Sequence, residues 1–208
     1  MTVDRDGIER AIRQAWESRD YDAAATVAIR EYGPEIMGLM VALMRAESEA
    51  SEAFSLFCED LWRGLPDFRW QCTARVWAYT LARHAAGRHA ASPHRRPGRN
   101  LPLSRARRIS RLAQQVRTST LPLLRTELKN RVRALREQLP LPDQELLILR
   151  VDRQLSWRDI ARVTSGEGKV AGEQELDEVA GRLRKRFHKI KAKLKRLAEA
   201  AGLTGRRR

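Results

Sequence analysis

Apolar side chains recur every three or four residues along most of the chain, which is the spacing of one face of an α-helix. The clearest case is residues 174–201, where basic side chains separate the apolar positions Leu176, Val179, Leu183, Phe187, Ile190, Leu194 and Leu197. The alternation typical of β-strands is absent, and β-branched residues are sparse. The pattern therefore predicts an all-α fold.

Turn-forming residues divide the first part of the chain into predicted helices over residues 7–16, 23–31, 35–45, 48–63 and 74–91. Pro34 predicts a break between the second and third of these, because proline cannot continue a helix. A loop over residues 68–73, with two exposed aromatic side chains, Phe68 and Trp70, precedes the last of them.

The C-terminal part predicts two short helices followed by the long basic one. Pro140 ends one helix and Asp143 starts the next, while Ser156 and Asp159 have the spacing of a capping box at the start of the second short helix. This order is the layout of a helix-turn-helix DNA-binding unit. A solvated three-helix unit, whose Lys and Arg merely keep it soluble, is the alternative.

The net charge of +15 favours a nucleic acid or another anionic surface as the partner. The sequence shows no Ser-His-Asp set, no paired carboxylates in an apolar setting and no phosphate-binding loop, so no enzyme is predicted. The longest apolar run, residues 36–44, is too short to span a bilayer, and no signal peptide is visible. We therefore expect a cytoplasmic protein without a membrane partner.

Charge is distributed unevenly along the chain. Between residues 31 and 60, Arg45 is the only base among the acids Glu31, Glu35, Glu47, Glu49, Glu52, Glu59 and Asp60. Between residues 83 and 117 every charged residue is an arginine. This segregation predicts a protein partner on one surface and nucleic acid on another, with a merely polar surface as the alternative.

Proline, glycine and arginine accumulate over residues 92–120, which predicts a mobile or partly extended basic linker with a helix allowed over residues 104–117. A helix over residues 123–139 leads from it into the helix-turn-helix. The predicted organisation is two small helical domains, residues 1–91 and 121–202, followed by a basic tail over residues 203–208.

No metal or other cofactor is predicted. Cys58 and Cys72 lack the spacing of a zinc-binding pair and are expected to be reduced thiols. His84, His89 and His94 recur every five residues, which does not keep them on one helical face.

Two stretches carry recognisable motifs. One reads DLWRGLPDFR over residues 60–69 and RVWAYTLAR over residues 75–83; the other reads LP at 139–140, LLILR at 146–150, LSWRDIA at 155–161 and GRLRKRFHKIKAKL at 181–194. In order and spacing they resemble domains 2 and 4 of the small, two-domain extracytoplasmic-function sigma factors of bacterial RNA polymerase, of the sigma-70 family. The resemblance covers most of the chain outside the linker.

The resemblance implies a promoter-specificity subunit whose partners are core RNA polymerase and promoter DNA. Domain 2 would bind the polymerase clamp through an acidic helix, matched here by Glu49, Glu52, Glu59 and Asp60. It would melt and read the −10 element through a basic surface, matched by Arg69, Gln71, Thr73, Arg75, Arg83, His84 and Arg88. An opened strand needs such a surface together with contacts to its bases. Trp77 and Tyr79 are predicted to be core residues instead.

Domain 4 would place residues 181–194 in the major groove of the −35 element. With the apolar positions inward, Lys185, His188 and Lys189 face most directly outward, and they are flanked by Arg182, Arg184 and Arg186. Arginine suits guanine edges, whereas lysine mostly meets phosphate. The linker would follow the polymerase channel toward template and nascent RNA. Many relatives are held inactive by an anti-sigma factor, which the resemblance adds as a further candidate partner.

The chain departs from the family pattern in two places. Ser55 and Leu56 stand where the clamp-binding helix commonly has a Gln-Glu pair, which predicts a differently built polymerase contact. Residues 164–175 form an insertion where the family's turn is very short, followed by Asp177 and Glu178. We hypothesise that the insertion lies beside the long helix or masks it. Deleting residues 165–172 would then change promoter affinity, and unchanged affinity would exclude masking.

Two other functions remain open. A stand-alone helix-turn-helix repressor or activator would bind duplex DNA without polymerase, usually as a dimer. An RNA-binding protein would use the arginine-rich linker and would still bind unrelated RNA after removal of residues 176–208.

Overall fold

The computed structural model describes residues 4–44, 46–91, 103–127, 131–166 and 172–202. Regular structure within these ranges is entirely helical, so the predicted all-α fold is confirmed. The α-helices are α1 (Arg5–Glu17), α2 (Tyr21–Leu43), α3 (Glu47–Gly64), α4 (Ala74–Ala91), α5 (Leu103–Glu127), α6 (Arg131–Glu137), α7 (Leu141–Leu147), α8 (Trp157–Ser165) and α9 (Glu173–Ala200). A 3-10 helix, Leu65–Asp67, extends α3, and a π-helical turn, Ile148–Asp152, extends α7. No helix in these ranges is both long enough and apolar enough to cross a membrane.

Helix α2 lies at the centre of the fold and contacts α1, α3, α4, α5 and α7. The predicted break at Pro34 is wrong, because α2 is a single helix of 23 residues. Pro34 removes one backbone hydrogen bond from the helix. Ile29 and Tyr32 before it, and Ile36 and Met37 after it, are all buried. Packing on both sides of the proline therefore outweighs the local signal for a break.

Helix α5 packs against α2 and α3 through the buried residues Ile109, Ala113, Val116 and Thr120. The helix allowed over residues 104–117 is therefore confirmed as part of α5, whereas the mobile or extended alternative is not what residues 103–120 adopt. Residues 92–102 lie outside the described part of the chain. The predicted start of a helix after Pro122 is wrong, because α5 continues through Pro122. Residues 123–127 and 131–137 are helical as predicted, and residues 128–130 lie outside the described residues. The buried positions have helical spacing, but the surrounding arginines obscured it.

The N-terminal and C-terminal parts share one buried cluster. Leu146, Leu149 and Ile160 belong to the same cluster as Phe54 and Tyr79. Helix α4 lies against α8, and α2 lies against α7. The division into domains of residues 1–91 and 121–202 therefore stays a prediction about which segments fold independently.

Glu9 on α1 caps the start of α4. Its carboxylate accepts hydrogen bonds from the backbone N–H groups of Ala74 at 2.8 Å and Arg75 at 2.9 Å, and from the Tyr32 hydroxyl at 2.6 Å. The first N–H groups of a helix have no partner within it, so Glu9 supplies acceptors that α4 lacks. Burial, together with the Glu9 carboxylate, raises the pKa of Tyr32 above its usual value. One side chain thus ties α1, α2 and α4 together.

Replacing Glu9 with alanine is expected to lower the free energy of unfolding by about 2–3 kcal/mol, because three donors lose their acceptor in a partly buried site. Urea denaturation followed by circular dichroism measures the change. Glu17→Ala is the matched control, since Glu17 pairs with Arg13 on the exposed surface, and its loss is expected to stay within about 0.5 kcal/mol. Equal losses in the two variants would contradict the capping role.

Candidate nucleic-acid interface

The apolar face of α9 lies against α8. The Trp157 ring meets the Phe187 ring edge-on, with centroids 5.4 Å apart. Beside this pair is a small buried cluster of Ala161, Leu176 and Ala180. Because small residues let two helices approach closely, α9 is fixed along its inner face and its opposite face is turned to solvent. Its observed start at Glu173 lies within one residue of the predicted start.

All the residues predicted to meet the −35 element are exposed on α9: Arg182, Arg184, Lys185, Arg186, His188 and Lys189. Arg186 is partly engaged, since its Nε donates to Asp143 Oδ1 of α7 at 2.6 Å. The remaining positions form a basic surface that we call the α9 basic face. Such a face on a solvent-exposed helix is suited to the phosphates and base edges of a duplex.

Two acids in the N-terminal part of α9, Asp177 and Glu178, have basic partners. The Arg158 guanidinium of α8 donates to both carboxylate oxygens of Asp177, at 2.7 and 2.9 Å. This bond holds the pKa of Asp177 below its usual range. Glu178 lies 4.0 Å from Arg182 one turn further along. Partial neutralisation of both acids reduces the repulsion of phosphate that the sequence suggests. Residues 167–171 of the insertion lie outside the described residues, so the masking hypothesis stays a prediction.

The loop before α4 carries three of the residues matched to the −10 element, and all three, Arg69, Gln71 and Thr73, are exposed. The prediction that its two aromatic side chains are exposed is wrong. Phe68 is only 7% exposed and stacks on Trp77 with centroids 4.5 Å apart. Trp70 is half-buried, with its centroid 4.9 Å from that of Phe68. Stacking fixes the backbone of the loop and leaves its polar side chains outside.

Arg75 is buried rather than available to DNA. Its Nε and Nη2 donate to the two carboxylate oxygens of Glu35 at 2.6 and 2.9 Å, and Nη2 also donates to the Arg153 carbonyl at 3.0 Å. The guanidinium lies 5.6 Å from the centroid of the Tyr79 ring. Tyr79 and Trp77 are core residues, as predicted. In this structure Arg75 therefore does not lie on an exposed surface, because its positive charge is paired inside the protein, and its match to the −10 element stays a prediction.

The other residues of α4 matched to the −10 element, Arg83, His84 and Arg88, are half-buried and have partners within the chain. Arg83 Nε donates to Glu145 Oε1 of α7 at 3.1 Å, and Arg88 forms an ion pair with Asp60 of α3. His84 lies against the end of α8, where a Cβ placed on Gly166 would fall 3.0 Å from His84 Nε2. The predicted −10 surface is therefore split between an exposed loop and an α4 face that other helices cover only in part.

Glu145 was missed as a functional candidate by the sequence analysis. It is 8% exposed. Burial raises its pKa above the usual value, an effect that the nearby Arg83 guanidinium only partly opposes. In the sequence, Glu145 comes directly before the apolar run Leu146–Leu149. This position indicates that Glu145 is partly buried, but it does not indicate which residue pairs with it.

The acidic helix α3 presents half of its predicted polymerase contacts. Glu49 and Glu52 are exposed. Glu59 is buried, with Arg63 at 3.6 Å, and Asp60 is half-buried beside Arg88.

On the side of α3 where the family carries a Gln-Glu pair, Arg117 of α5 donates to the Ser55 hydroxyl at 2.9 Å. Helix α5 therefore lies against this side of α3. The exposed area of α3 that a partner protein could contact is correspondingly smaller.

Three comparisons, with protein-family models, with characterised proteins and with solved structures, find no match to this chain.

Proposed function

We propose that this protein is a sigma factor that directs bacterial RNA polymerase to promoters. The observation that carries the proposal is the α9 basic face, which is exposed along a helix whose apolar side is fixed on α8. A second recognition surface is present in the exposed polar loop Arg69, Gln71 and Thr73 before α4. The acids Glu49 and Glu52 on α3 supply a separate surface of opposite charge for a protein partner.

The chemistry of these surfaces fits a binding role. A promoter-specificity subunit needs duplex recognition at one site, strand capture at another and a protein contact at a third. The α9 basic face suits duplex DNA, because arginine and lysine supply donors for base edges and phosphates. The loop before α4 suits a separated strand through its exposed polar side chains Arg69, Gln71 and Thr73, which supply donors and a positive charge for the backbone of the strand.

The second candidate function is a stand-alone helix-turn-helix regulator of transcription. It is favoured by the contrast between the two basic surfaces, because the α9 basic face is open whereas Arg75 and Arg83 of α4 have acidic partners inside the chain. A protein with only α9 available would bind duplex DNA and would need no polymerase.

Run-off transcription with purified core RNA polymerase separates the two functions. A sigma factor is expected to co-purify with the core enzyme and to start transcription at a defined site on a cognate promoter. Glu49→Lys/Glu52→Lys is expected to abolish that transcription while leaving binding to duplex DNA intact, since both acids lie on α3 and neither belongs to the α9 basic face. Tight duplex binding without any association with the core enzyme would establish the stand-alone regulator instead.

A further inference from the structure

Among the described residues, polar contacts join the C-terminal part of the chain to the α4 region, and the following three involve residues matched to the −10 element. Arg75 Nη2 donates to the Arg153 carbonyl at 3.0 Å. Arg83 Nε donates to Glu145 Oε1 at 3.1 Å. Arg162 of α8 donates to the backbone carbonyl of Gln71 in the loop before α4. In each contact, the member on the α4 side is one of the residues matched to the −10 element.

We infer that the free protein is held in a closed state, in which α7, α8 and their connection lie over part of the α4 surface that would meet the opened promoter strand. The inference rests on the proposed function for the role of that surface. It goes beyond that function by assigning a regulatory contact within the chain, with Glu145 as its central residue. The α9 basic face stays exposed in the closed state, so duplex recognition remains possible. Strand capture is then limited to the exposed loop before α4, without the partly covered residues of α4.

The contact between α4 and α7 has properties that favour its separation. Glu145 keeps a carboxylate in a buried position, and its burial raises its pKa despite the pairing with Arg83. The cost of removing the Glu145 carboxylate from water exceeds what its pairing with Arg83 returns. Separation of α7 from α4 would let this carboxylate regain its hydration. The closure is also incomplete, since an open groove of about 470 Å³ lies between α4 and α7. Its walls include Leu43, Arg83, His84, Leu141 and Glu145.

Cys72 provides a native reporter of closure. It lies in the loop before α4, half-buried, and burial raises its pKa to about 11 even though Arg162 of α8 opposes the shift. Opening would move α8 away, expose the thiol and make it more reactive, because only the thiolate attacks an alkylating reagent. Cys58 is fully buried in the N-terminal part and reports unfolding instead.

The experiment measures the rate at which iodoacetamide labels each cysteine of the full chain, resolved by peptide mass spectrometry. Glu145→Lys places a cation against Arg83 and is expected to speed labelling of Cys72 by about tenfold, the size of effect that a coupled charge pair produces. Arg83→Glu is expected to do the same, and the double charge swap Arg83→Glu/Glu145→Lys is expected to restore the slow rate. Asp152→Lys is the matched control, because Asp152 pairs with Arg136 within the C-terminal part.

A Cys72 rate that is the same in wild type, Glu145→Lys and Arg83→Glu would overturn the closed state. Should Glu145→Lys also speed the labelling of Cys58, that variant is unfolded. Arg83→Glu then decides the question alone, since Arg83 is more than a third exposed and tolerates replacement. Labelling needs neither polymerase nor promoter. A chain that passes this test but supports no transcription would refute the proposed function and leave the closed state intact.

Discussion

Replacing Arg75 with alanine is expected to lower the free energy of unfolding by about 3–5 kcal/mol, which is the usual effect of removing one member of a buried ion pair. Arg75 is 7% exposed. Its guanidinium satisfies both oxygens of Glu35, whose side chain is itself 18% exposed, and it also bonds the Arg153 carbonyl. Without Arg75, the Glu35 carboxylate is left largely buried and uncompensated. The link between α2, α4 and the segment that connects the π-helical turn to α8 is also lost.

Chemical denaturation at neutral pH measures this loss, and two further variants interpret it. Arg75→Lys keeps the charge but cannot form the two-pronged contact with Glu35, so an intermediate loss is expected. Arg69→Ala removes an exposed arginine from the neighbouring loop, and its effect is expected to stay within about 0.5 kcal/mol. If Arg75 instead acted on DNA, as its match to the family pattern implies, Arg75→Ala would weaken DNA binding and leave stability unchanged. That outcome would contradict the buried role.

The helical spacing of apolar residues predicts the position of α9 but not the burial of Arg75. The start, length and inner face of α9 follow from helical spacing, because each apolar residue is only three or four positions from the next. The start of α8 follows equally well, since the Ser156 side chain accepts a hydrogen bond from the Asp159 N–H three residues on. Exposure of the α9 basic face was predicted from the same pattern and is confirmed.

The predictions that were wrong concern residues whose partners are remote in sequence. Arg75 and Glu35 are 40 positions apart, and Arg83 and Glu145 are 62 apart. No periodicity links such residues, so the sequence could not show that the α4 face is covered. The continuity of α2 through Pro34 has the same origin, because neighbouring helices supply the packing that overrides the proline.

Removing three charges from the α9 basic face is expected to weaken binding to duplex DNA by about 100-fold to 1,000-fold at low salt, because each lost contact to DNA contributes about 1–1.5 kcal/mol. The variant is Arg184→Ala/Lys185→Ala/Lys189→Ala, and all three side chains are exposed. Titration of a fluorescent duplex at several salt concentrations measures both the affinity and its salt dependence. The slope of log affinity against log salt is expected to fall by about 0.9 for each phosphate contact removed.

The control removes the same charge elsewhere. Arg5, Arg10 and Arg30 are exposed on the N-terminal part, and their triple alanine variant lowers the net charge equally. If binding depends on the α9 basic face, the control changes affinity by less than about threefold and leaves the salt slope nearly unchanged. Equal weakening by both variants would mean that the chain attracts DNA only through its overall charge, which removes the main support for sequence recognition by α9. His188→Ala gives a second check, because it leaves the formal net charge unchanged. It is expected to reduce discrimination between promoter sequences only if α9 enters the major groove.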